Sequence, residues 1–169
     1  MKLNRKHLLA ATVGGLAIGM LGTAAFASTP SGFTPTNLVK ADLNTTVHLN
    51  SDRVKFRTKD PTDVLVQKIV TDAGGSSGWH HHPGLVLVAI QSGALTVWDS
   101  KCNKERYGPG RPNGSVFVES GDEPGLVTSK AGATSYATFV APSADPPVFR
   151  IEDDVQSCSV ITSRKGRAG

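Results

Sequence analysis

Helical periodicity is missing from this 169-residue chain. Outside the first 27 residues no window sustains apolar residues at helical spacing, and 18 glycines and 10 prolines punctuate too often for a long helix to fit. Thiol-redox and nucleotide signatures are missing as well, since there is no C-x-x-C and no glycine-rich phosphate loop. The body of the chain has no basic stripe interleaved with aromatic platforms, which argues against a nucleic-acid partner. Cysteine occurs only twice, at Cys102 and Cys158.

The beginning of the chain reads as a segment apart. Lys2, Arg5 and Lys6 precede an uncharged apolar stretch from Leu8 to Ala24, and Ala25-Phe26-Ala27 supplies a small-x-small cleavage site. Residues 1–27 are therefore expected to be a secretory signal peptide cut after Ala27, leaving a secreted, extracellular protein with no membrane partner. An uncleaved anchor is the alternative, because the uncharged stretch nearly reaches bilayer-spanning length. The cleavage site favours removal. The signal holds three of the 18 basic residues and none of the 14 acidic ones, so its loss lowers the formal charge from +4 to +1. Much of the remaining basicity lies in Arg164-Lys165-Gly166-Arg167, and residues 161–169 read as a basic flexible tail. In an exported chain Cys102 and Cys158 meet oxidising conditions and can pair. Closing so long a loop stabilises a domain by roughly 4 kcal/mol in the loop-entropy model.

Residues 28–37, "STPSGFTPTN", are rich in Ser, Thr, Pro and Gly and suit a flexible linker. From there to residue 160 the apolar residues come in short runs such as "DVLVQKIV", "GLVLVAI", "ALTVW", "SVFVE" and "TSYATFVA", separated by turn residues and dominated by β-formers. Closely spaced short strands predict one all-β domain over 38–160, an antiparallel sandwich or barrel. "GLVLVAI" is apolar on both faces, which predicts that both are covered. Ser92-Gly93 is expected to turn that strand into "ALTVW" as a hairpin.

The stretch from Gly74 to Gly93, "GGSSGWHHHPGLVLVAIQSG", sets three consecutive histidines before the most apolar run. On a strand, residues two apart share a face, so His80 and His82 converge while His81 points away. Two such imidazoles can hold one divalent ion when further donors arrive from elsewhere. A histidine tract can also serve loop hydrogen bonding or adventitious metal binding, so the residues alone leave both roles open.

With its spacing laid out, this stretch resembles the first motif of the cupin family: Gly, five residues, His-x-His, three or four residues, Glu, six residues, Gly. Gly74, His80-His81-His82, Val86 and Gly93 occupy those positions, with Val86 where the carboxylate belongs. The wording "GWHHHPG" is similar to that of small exported single-domain cupins, a subgroup that often carries cysteines placed much like Cys102 and Cys158. The resemblance implies a cupin-like antiparallel β-barrel, that is, a double-stranded β-helix or jelly roll. The second motif is Gly, five residues, Pro-x-Gly, two residues, His, three residues, Asn. Laid on "GSVFVESGDEPGLVTS" it retains only Gly114, with Ser120, Asp122, Gly125 and Ser129 at the other positions.

His80 and His82 are therefore the expected metal ligands. Glu123, two residues before Gly125, is the expected third donor, because it would share that position's face on an extended backbone. Glu119, Asp122 and His48 are looser candidates. Three functions follow from the resemblance. One is a barrel binding a divalent transition metal or a small molecule. Another is a catalytically inactive extracellular binding module without metal. The third is a metal-independent enzyme using His80 or His82 as a base. Fold alone does not choose among them and names no catalytic residue. Cupins are often dimeric, so pairing of an edge strand with a second copy is a further expectation.

Overall fold

The computed structural model of the protein describes residues 28–154 and Cys158. The expected signal peptide and the basic tail at 161–169 lie outside the described residues.

The short runs seen in the sequence become strands in chain order. They are β1 (Ser31–Leu43), β2 (His48–Asn50), β3 (Lys55–Arg57), β4 (Thr62–Ser76), β5 (His80–His81) and β6 (Leu85–Gly93), followed by β7 (Leu95–Asp99), β8 (Lys104–Tyr107), β9 (Val116–Ser120), β10 (Gly125–Thr128), β11 (Ala133–Pro142) and β12 (Ile151–Glu152). Every pairing is antiparallel. β2 and β3 form a small separate hairpin, and the other ten strands form one sheet that curls into a nearly closed barrel. One wall runs β1-β4-β11-β6-β9, and the other joins β8, β7, β10, β5 and β12. The walls meet where Ser76 at the end of β4 pairs with Thr128 of β10. The all-β, cupin-like antiparallel barrel expected from the sequence is the fold observed.

Alternation along the strands builds the interior. β11 buries every second residue from Ala133 to Ala141, and on β6 Val86, Val88 and Ile90 face inward. Leu65, Ile69, Leu95, Phe117 and Val127 complete the core from the remaining strands. Fully burying one such large side chain contributes about 1.5–3 kcal/mol. Cys102, in the β7–β8 connection, is disulfide-bonded to Cys158, with a Cα–Cα distance of 5.3 Å. The bridge ties the end of the described chain to the second wall.

Three local expectations differ from the structure. Strand pairing begins at Ser31 rather than near Leu38, because the segment expected to be a linker lies along the open edge of β4, from Ser31 opposite Ser76 to Leu43 opposite Thr62. An edge strand tolerates its Pro35, since one side of its backbone needs no partner. β6 is covered on one face only. Its outward Leu87 remains 41% exposed, beside Val118 of β9 at 58%. Ser92-Gly93 does not make a hairpin, for β6 pairs with β11 and β9 while β7 pairs with β10 and β8. The chain there crosses between walls. Gly93 has φ of 77°, and a Cβ on it would stand 2.1 Å from the Gly132 carbonyl oxygen, so glycine is required.

Candidate metal centre

The histidines sit where β5 leads into β6, at the junction of the two walls. Strand alternation separates them as expected. His80 and His82 are buried, at 4% and 6% exposure, while His81 turns away and pairs through Nδ1 with the Asp153 carboxylate at 2.9 Å. The two buried rings meet edge to face with centroids 4.8 Å apart. Backbone carbonyls hold each ring. His80 Nδ1 is 2.8 Å from the Gly78 oxygen, and His82 Nδ1 is 2.6 Å from the Phe149 oxygen. A carbonyl only accepts, so both Nδ1 atoms carry the proton and donate it. That leaves both Nε2 lone pairs available, the arrangement by which a histidine is oriented for a metal ion.

The carboxylate grouped with the two histidines is that of Glu119, not of Glu123. His80, His82 and Glu119 each offer one ligand atom, and these atoms all lie within 4.8 Å of one another. Glu119 Oε2 is 3.5 Å from His82 Nε2. Two donors on a tetrahedral zinc ion stand about 3.4 Å apart, given metal–ligand bonds of about 2.1 Å. His82 and Glu119 already stand at that spacing, and the widest pair of the set would close on an ion from 4.8 Å or less. Glu123 lies outside the group. The extension expected from Glu123 to Gly125 is not formed, since β10 begins only at Gly125, and Glu123 is exposed and accepts a hydrogen bond from Ser100 Oγ at 2.8 Å. Asp122 is exposed in the same loop, and His48 is exposed on the β2–β3 hairpin.

Glu119 owes its place to register. It lies on β9 directly opposite Val86 of β6, and opposed residues share a face. Val86 occupies the cupin carboxylate position, so a carboxylate reaches the same region from the neighbouring strand. Gly125, at the second-motif histidine position, pairs with His80. A Cβ built on Gly125 would stand 3.8 Å from Glu119 Oε1. Gly125 therefore brings no side chain to the carboxylate.

Burial dominates the electrostatics of His80. Its pKa is lowered to about 4, first by desolvation and then by the Arg150 guanidinium, against a smaller opposing pull from Glu119. The ring is neutral at neutral pH, as a ligand must be. Arg150 is itself held, donating to the Ser77 carbonyl at 2.6 Å and to both carboxylate oxygens of Glu152. That hydrogen-bonded partner holds the Glu152 carboxyl below its ordinary range.

The cluster stands between two spaces. On one side is an apolar chamber of about 160 Å³ inside the barrel, walled by residues such as Ile69, Val88, Phe117 and Phe139. On the other is a polar groove of about 290 Å³, lined by Asp99, Glu105, Glu123 and their neighbours. His80, His82 and Glu119 border both. The string Gly74-Gly75-Ser76-Ser77-Gly78 also has the Gly-x-Ser-x-Gly spacing of a hydrolase elbow. Its surroundings do not suit a nucleophile: Ser76 closes a strand and accepts from the Gly78 amide, and no helix follows it among the described residues.

No protein-family model matches the chain, and no curated protein matches it. Among solved structures it is similar to a cupin-2 domain protein from Rhodospirillum rubrum, with 10% identity over 81% of this chain and 74% of that one and a TM-score of 0.48. It is similar to the cupin-2 domain of an XRE-family transcriptional regulator from Enterobacter cloacae, at 13% identity over 68% of this chain and all of that one, with a TM-score of 0.44. A sugar phosphate isomerase of the cupin superfamily from Silicibacter pomeroyi matches at 20% identity with a TM-score of 0.42. That match covers 54% of this chain and 57% of the isomerase. Such likenesses concern the fold and not the activity.

Proposed function

We propose that this protein is an exported cupin-like barrel that holds one divalent transition metal ion at His80, His82 and Glu119 and offers it to a small molecule. The observation that supports this most is the pair of carbonyl-anchored histidines, whose free Nε2 atoms converge with a carboxylate within 4.8 Å. Two imidazoles and one carboxylate suit zinc, iron or manganese. A metal ion bound there would act as a Lewis acid toward a ligand oxygen. The chain's own part is to orient both histidines through Gly78 and Phe149 and to balance part of the ion's charge with Glu119.

Export is supported by the Cys102–Cys158 disulfide, which suits an oxidising compartment. The metal-free alternative with a histidine base is less well supported. His80, with its pKa near 4, is a poor general base at neutral pH.

The test is elemental analysis of untagged residues 28–169, exported so that the disulfide forms, beside a His80→Ala/His82→Ala control. Stoichiometric metal in the wild type and none in the control is the expected result. A folded wild-type protein without metal would turn the reading toward an inactive binding module.

A further inference from the structure

We infer that the occupant of the chamber is a small apolar acid: a compact hydrocarbon body of about six carbons carrying one carboxylate. The inference rests on the metal reading above and adds the class of ligand.

Size sets the first limit. The chamber measures about 160 Å³, and an apolar cavity of about 150 Å³ is filled by a molecule the size of benzene. Wall chemistry sets the second. Valine, isoleucine, leucine and phenylalanine side chains form most of the surface, and few polar side chains interrupt it away from the cluster. They are Gln67, Ser135 and Arg150: the Gln67 amide already donates to Asn37 Oδ1 at 2.8 Å, and the Arg150 guanidinium is held by the Ser77 carbonyl and the Glu152 carboxylate. A sugar would bury several hydroxyls against hydrocarbon here, each without a partner and each costing on the order of 1–3 kcal/mol. A hydrocarbon body loses nothing of the kind.

Charge sets the third limit. Two neutral histidines and one glutamate leave a divalent ion with an excess of one positive charge in a buried setting, which favours an anionic oxygen donor. The acidic groove then decides orientation. Asp99, Glu105 and Glu123 line the groove and not the chamber, so a carboxylate approaching through the groove meets like charges. From the chamber it meets the cluster first. The polar end of the ligand therefore lies at His80, His82 and Glu119, and its body lies among Val88, Phe117 and Phe139.

The experiment is calorimetric titration of 4-methylpentanoate into the zinc-loaded mature protein, with the metal content measured on the same sample. The same titration is run on the metal-free protein, and 4-methylpentan-1-amine and glucose serve as controls of equal or greater size. Ala137, 1% exposed on the chamber wall, is changed to Leu in one variant and to Phe in another, to fill the space without touching a ligand atom. The expected result is binding of the acid to the zinc form at least about tenfold tighter than to the metal-free form, with no measurable binding of the amine or glucose. The filled variants are expected to keep zinc and lose the acid by a similar factor. Zinc at full stoichiometry with no heat from the acid overturns this inference alone, as does equal binding by folded, filled variants. A protein that takes up no zinc overturns the metal reading and this inference with it.

Discussion

Two neighbouring parts of the barrel carry the candidate centre, and they differ in how they relate to the family's motifs. β5 and β6 hold His80, His82 and Gly93 at the spacing of the first cupin motif, and the histidines face inward as that spacing implies. β9 and β10 stand where the second motif belongs, and of its residues only Gly114 is kept. Yet the region that does not match its motif brings a carboxylate beside the histidines. Glu119 lies opposite Val86, so the donor that is absent from β6 is present one strand away on the same face. A metal site constrains positions in space, and adjacent antiparallel strands offer two sequence positions for nearly one such position.

The most severe way to break this comparison is to move the carboxylate back. Glu119→Val alone should lower metal affinity by more than about 100-fold, since even outer partners of a ligand cost 10–100-fold when removed. Adding Val86→Glu to that variant should recover most of the loss, measured by competition with a chromogenic chelator. Failure of the double variant to recover, while folded, would mean that the two positions are not interchangeable.

A smaller effect comes from acid. His80 is depressed from 6.5 to about 4 in the folded chain, so the unfolded chain binds the extra proton first as pH falls. The contribution to stability is full above pH 6.5, is lost progressively toward pH 4, and levels off below that. It amounts to about 3 kcal/mol. Urea unfolding of the chelator-treated protein across this range should show the decline, and His80→Asn should flatten it. An unchanged slope in that variant would assign the decline to other groups.

How much of this was legible beforehand follows the same division. The barrel could be read because strand propensity and Gly/Pro punctuation are local, and because alternation separates His80 and His82 from His81 within three residues. The inward pairing of Val86 with Glu119 could not be read, because the register of β6 against β9 is set by contacts between segments about 30 residues apart. Glu123 looked the better donor on the assumption of an extended backbone up to Gly125, but β10 begins only at Gly125 and Glu123 stands in the loop before it. β1 escaped for a related reason. Its composition is that of a loop, and only the long free edge of β4 makes it a strand. The outward row through Leu87 and Val118 shows the reverse error, in which two apolar faces suggested two covered ones.

The most direct test of the account is a crystal structure of the zinc-loaded protein, with the ion located by its anomalous scattering. The account predicts an ion bound by His80 Nε2, His82 Nε2 and a Glu119 oxygen, each at about 2.0–2.2 Å, with a non-protein ligand on the chamber side. An ion held by Glu123, or one lying on the exposed face of His81, would contradict it.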